Sequence, residues 1–200
     1  MHKLSIWCGM LIGIGALAYL TVGGILGAIL FAFGLMAVIC TGKRNLYTGW
    51  IGICNFRAIE GWSRLFSMLL LNSIGVAFVA GLVYCTDINL LDRTNEIVNI
   101  RLNSTHLSLF CKSILTGIIM HVCVCCAIHK NTFIPTLIGV PLFILCGLPH
   151  CIADVFYYTY YVINNGHIEH ILPVLVSWTV SIVGNTVGCN IPRLIDTDIY

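Results

Sequence analysis

Residues 4–42 contain no Asp, Glu, Lys or Arg. A helix that crosses a membrane needs about 20 mostly apolar residues, so this single run holds two crossings. Further uncharged runs occupy 65–86, 113–129, 131–153 and 170–192. Six spans fit, almost without spare residues. Of the 200 residues 58% are hydrophobic and 9% charged, whereas a soluble domain carries about 25% charged residues. The chain is therefore read as an all-α integral membrane protein with six transmembrane helices. A formal charge of +2 gives no ground for a nucleic-acid partner. Met1-His2-Lys3 before an apolar run has the look of a signal peptide. The run is too long for one and shows no small-x-small cleavage site, so it reads as an uncleaved first span.

The spans are expected at about 4–22, 25–40, 65–84, 107–128, 139–161 and 171–191. The second breaks over Thr41-Gly42-Lys43-Arg44-Asn45-Leu46-Tyr47-Thr48-Gly49, and Trp50 to Phe56 resumes an apolar course for two turns. Arg57, Glu60 and Arg64 mark a short surface connection. Residues 86–105 are the longest polar stretch and read as an exposed loop. His129-Lys130-Asn131 reads as a tight turn, and 164–169 as a loop in which His167 is an ordinary residue, like His170 just beyond it. Basic residues in the connections set orientation. With the N-terminus in the cytoplasm, Lys3, Arg57, Arg64, Lys130 and Arg193 lie inside, and Arg93 and Arg101 outside. Both termini are then cytoplasmic, in a plasma (inner) membrane.

The fifth span breaks at Gly147-Leu148-Pro149 and is expected to restart with His150-Cys151-Ile152-Ala153-Asp154. Broken backbone is tolerated at membrane depth only where it lines a cavity or is buried in protein. An ionisable group there is a candidate functional residue. The two halves also match. Asn72-Ser73-Ile74-Gly75 in span three parallels Asn185-Thr186-Val187-Gly188 in span six, and a broken middle span precedes each. Three spans followed by three of the same pattern imply an inverted repeat, about 1–86 and 106–192 around loop 87–105, in one channel domain. Paired interrupted segments point to the conduction site.

Among other candidates, Asp154 suits the cap of the restarted helix or a second pore charge. The eleven cysteines sit almost entirely in apolar spans, where free Cys behaves as a small hydrophobe. Cys123, Cys125 and Cys126 with His121 could ligate a metal, but their spacing on one helix converges poorly, and packing is the preferred reading. No metal or other cofactor is expected. No nucleophile triad, nucleotide loop or HExxH pattern supports an enzyme.

Gly147-Leu148-Pro149-His150-Cys151-Ile152-Ala153-Asp154 resembles the pore-histidine segment of the formate/nitrite transporter family. Leu46-Tyr47-Thr48-Gly49 resembles its Leu-Phe-Thr loop. Ile114-Leu115-Thr116-Gly117 sits where span four usually reads Ile-Leu-Cys-Asn, and Val183 to Gly188 resembles its Gly-Asn-x-x-Gly. Arg101 falls where the family has a basic vestibule residue. The chain departs from the pattern at Pro149, Gly117 and Asn45.

The resemblance implies an aquaporin-like fold, a homopentamer with one pore per protomer, and passage of small monovalent anions or their conjugate acids, in the class of formate, nitrite and hydrosulfide. His150 is then the pore proton relay, and Thr48 is expected opposite it, orienting the imidazole. Phe143, Leu46, Tyr47 and Met36 are constriction candidates; Arg101 and His106 are vestibule candidates. The alternatives are a neutral-solute pore of aquaporin type, whose paired Asn-Pro-Ala motifs are absent here, and a membrane thiol or metal enzyme built on Cys123 to Cys126 and His121.

Overall fold

A computed structural model describes residues 2–42, 45–53, 59–165, 169 and 171–195. The described residues are helical, with no strand. Helices α1 (His2–Val22), α2 (Gly24–Thr41), α4 (Ile59–Tyr84), α6 (His106–His129) and α9 (Ile171–Ile195) are long and apolar enough to cross a membrane. The other elements are α3 (Tyr47–Trp50), α5 (Leu91–Leu102), α7 (Ile134–Leu145) and α8 (Asp154–Asn165). The chain is a multi-pass membrane protein. Large apolar side chains such as Leu26, Phe33, Phe66 and Leu172 stand exposed on its outer faces, where lipid or another protein surface replaces water.

The α1–α2 turn uses Gly23 and Gly24 at φ +73° and +55°, a region a side chain makes costly. Arg93 from α5 packs into the space that a Cβ on Gly23 would fill. Its Nη1 donates to the carbonyls of Leu20 and Thr21, at 2.6 and 3.1 Å. These are end carbonyls of α1, which have no partner within their own helix. Thr105 caps α6 by accepting from the Ser108 N–H at 3.2 Å.

Helix α1 packs along α4, and α6 along α9. Small residues make both contacts close, as they do between helices in lipid. Gly9 and Gly75 seat the first pair backbone to backbone, and Gly117 and Gly188 the second. Gly117, one of the departures from the family pattern, lies directly against the backbone of Asn185. The interrupted elements fill the space between the pairs: α2 meets α7, α3 touches α4, α6 and α9, and α8 packs on α4 and α5.

Three expectations are corrected. Residues 86–105 are not an exposed loop, because α5 occupies most of the stretch. Its buried positions Thr94, Val98 and Arg101 recur at helical spacing, and Asp92 and Arg101 complement the helix dipole at opposite ends. Average polarity hid that period. The surface connection assigned to Glu60 and Arg64 is already α4, with the Arg64 guanidinium 4.6 Å from the centre of the Trp50 ring. The fifth span restarts at Asp154, not at His150, so its break covers residues 146–153. Lys43, Arg44, Arg57, His167, His170 and residues 196–198 lie outside the described residues.

Candidate functional site

Two asparagines hold the two breaks in matching ways. Asn72 on α4 accepts from the Tyr47 N–H at 2.8 Å and donates to the carbonyls of Ser5 and Asn45 at 2.7 and 3.0 Å. Asn185 on α9 accepts from the Cys151 N–H at 2.8 Å and donates to the carbonyls of Ser113 and Pro149 at 2.8 and 3.1 Å. Each amide thus ties its break to a long apolar helix, α1 through Ser5 and α6 through Ser113. A buried backbone group needs such a partner. At Asn45 and Pro149 the bonded atom is the backbone carbonyl, which any residue there would present.

These bonds flank Leu46 in one break and His150 in the other. His150 is 2% exposed and Thr48 1%. Thr48 Oγ1 lies 3.1 Å from His150 Nε2. The Ala153 N–H donates to Nδ1 at 3.1 Å. A neutral imidazole has one donor and one acceptor nitrogen, so Nδ1 is the acceptor and Nε2–H donates to the Thr48 hydroxyl. The imidazole stacks on Phe143, with centroids 5.5 Å apart and planes at 20°. Phe143 meets Phe31 of α2 edge to face at 6.2 Å. The Phe143–His150 contact arises because the break folds His150 back over α7.

Two cavities lie on either side of this group. One, of about 370 Å³, is bounded by Phe143, Leu148, His150, Arg101, Asp154 and Tyr157, among others. The second, of about 200 Å³, is bounded by Leu35, Val38, Ile39, Leu46, Gly49, Val124 and Ile128. His150 and Phe143 line the first, and Leu46 and Gly49, which neighbour Thr48 in the chain, line the second.

Arg101, expected at an open mouth, is 8% exposed. Its Nη1 is 2.6 Å from Asp154 Oδ1, and its guanidinium lies 5.2 Å from the centre of the Tyr157 ring. Asp154 Oδ1 also accepts from the His150 N–H at 3.3 Å. The carboxylate thus reaches back to the break as well as starting α8. Tyr47 is buried with its hydroxyl 2.8 Å from Thr186 Oγ1, and it borders neither cavity. Met36 is half-buried on α2 and His106 exposed at the start of α6; neither lines a cavity. His121 is buried, with Nε2 3.4 Å from Cys125 Sγ. Among the described residues no three metal-ligating side chains converge.

Sequence reasoning missed Phe31, Arg93 and Glu96. Phe31 sits in a uniformly apolar helix with no local signal. Arg93 and Glu96 line the larger cavity with Ile97, Ile100 and Arg101, a stripe at helical spacing that becomes visible only once α5 is read as a helix.

A family model described as formate/nitrite transporter matches residues 1–192. A solved structure described as a pentameric formate channel with formate bound is similar to this chain at TM-score 0.76 and 20% identity, over 94% of this chain and 91% of that one. Another, described as an FNT family ion channel, matches at TM-score 0.81 and 19% identity, over 95% and 85%. At these identities the likeness is one of fold. No curated protein gives a sequence match. With the family model matching nearly the whole length, this chain belongs to the formate/nitrite transporter family.

Proposed function

We propose that this protein is a pH-dependent channel for small monovalent anions that cross as their conjugate weak acids, in the class of formate, nitrite and hydrosulfide. The observation that carries the reading is the buried Thr48–His150 hydrogen bond between two cavities. A bare anion does not cross a dry constriction, since burying an ion costs up to about 20 kcal/mol at the low-dielectric extreme. A neutral acid avoids most of that cost. His150 is the proton-exchange group: an imidazolium gives one proton to the anion and returns to the neutral form, in which Nδ1 accepts from Ala153. Thr48 fixes the ring. Phe143 and Leu46 form the two apolar constrictions, with Phe31 backing the first. Tyr47 braces the second through its bond to Thr186, and Met36 stands behind them on α2. Arg101 belongs to the vestibule, and His106 stands at its approach.

The matched roles of Asn72 and Asn185 support a six-span inverted repeat of three plus three, in a single channel domain with α5 between the halves. The neighbouring pentameric formate channel supports a homopentamer with one pore per protomer. The distribution of Lys and Arg supports cytoplasmic termini in a plasma membrane.

The test is a proteoliposome panel of formate, nitrite, hydrosulfide and acetate, scanned across about pH 5 to 8, where histidine ordinarily titrates. Flux that rises as pH falls, for at least one of these, is the expected result. Flux of none of them at any pH refutes the reading.

A further inference from the structure

We propose that Asp154 determines specificity: by pairing with Arg101 it leaves the larger vestibule without net charge, so the vestibule admits small oxyacids that pass in neutral form and turns away the anions of strong acids. The inference rests on the channel reading above.

Two arginines and two carboxylates line that vestibule: Arg93, Arg101, Glu96 and Asp154. His150, which faces it from the break, is neutral when its Nδ1 accepts from Ala153. The other polar groups on the wall are the Tyr19 and Tyr157 hydroxyls and backbone. Arg93 is committed to the end carbonyls of α1. Arg101 is the cation nearest the constriction, and Asp154 Oδ1 stands 2.6 Å from its Nη1. An arriving anion meets opposite charges at nearly equal distance, and their Coulomb contributions largely cancel. Without the carboxylate, Arg101 would draw in any anion, whether or not that anion can take a proton.

A second observation points to a ligand. Asp154 Oδ2 is buried and has no hydrogen-bond partner among the described residues, while Oδ1 is held by Arg101 Nη1. The Arg101 and Asp154 side chains are 9% and 1% exposed. A neutral oxyacid supplies the complement: its O–H donates to Oδ2, and its carbonyl or N=O oxygen lies toward the adjoining guanidinium. Nitrate and chloride offer acceptors alone, so each would set a lone pair or a charge against Oδ2. A buried polar atom left facing like charge discriminates strongly.

The experiment compares formate, nitrate and chloride fluxes in proteoliposomes for three proteins: the parent, Asp154→Asn, and the double variant Arg101→Gln/Asp154→Asn. The parent is expected to move formate and to exclude nitrate and chloride. Asp154→Asn is expected to raise the nitrate-to-formate ratio about tenfold or more at neutral pH, since one uncompensated cation then faces the pore. The double variant, with both charges gone, is expected to return that ratio to within about twofold of the parent. An unchanged ratio in Asp154→Asn overturns the inference. If that variant does not assemble, the parent still decides, because chloride or nitrate flux at the formate rate overturns it too. Absence of formate flux in the parent overturns the channel reading and this inference with it, whereas formate flux with the wrong selectivity overturns this inference alone.

Discussion

Replacing Asn185 by Leu keeps much of the side-chain volume and removes the amide that binds the break on both sides of His150. Three hydrogen bonds are lost: one from the Cys151 N–H and two to the carbonyls of Ser113 and Pro149. A hydrogen bond contributes about 1 kcal/mol net, and a buried group left unpaired costs about 1–3 kcal/mol. Asn185 is fully buried, so water cannot replace it, and a total loss of about 3 kcal/mol or more follows. At roughly 2–4 °C per kcal/mol for a chain of this size, the apparent melting temperature falls by about 6–12 °C. The assay is size-exclusion chromatography of the detergent-solubilised assembly after graded heating. Asn103→Ala is the control, because its exposed side chain only bonds back to the Asn99 carbonyl of its own helix, and it should shift melting by no more than a degree or two. An Asn185→Leu protein that melts within about 2 °C of the parent would refute the idea that this amide holds the break.

Further outcomes follow from the same geometry. Thr48→Val keeps the shape and removes the hydroxyl that accepts from His150 Nε2; flux should fall or change its pH response with the assembly intact, and identical flux at every pH would reduce Thr48 to packing. Gly188→Ala drives a methyl into the Ile114 carbonyl, whereas Gly81→Ala meets open space. The first should therefore lower stability by about 1–3 kcal/mol, while the second is neutral or gains up to about 1 kcal/mol of helix propensity, both read by heated chromatography. Cysteine placed at the exposed Asn99, in a background whose own cysteines are silent, should react with an impermeant maleimide in intact cells; labelling only after lysis would reverse the orientation.

Charge-free runs made the long helices legible, because lipid imposes length and apolarity on a span more strictly than water imposes anything on a soluble helix. The paired Asn-x-x-Gly stretches were also visible, although only their hydrogen bonds explain why an amide stands at each. Two features escaped. Helix α5 is too polar on average to register, and its three buried positions need a tertiary partner to reveal themselves. The length of the fifth-span break was hidden because residues 150–153 look helical in composition, yet Asn185 and Asp154 bind their backbone outside a helix. Arg101 shows the same limit: its position near the mouth was expected, but its carboxylate partner lies more than fifty residues away in sequence and depends on how α5 packs against α8.

The most direct test of the account is weak-acid flux through His150→Phe in proteoliposomes, measured across about pH 5 to 8, where imidazole changes charge. The ring keeps its breadth and its stacking on Phe143, and the exchangeable proton is gone. The account predicts that the pH-dependent flux is lost while the assembly and its melting temperature stay close to the parent. Transport of formate, nitrite and hydrosulfide at the parent rate over the whole range would contradict it.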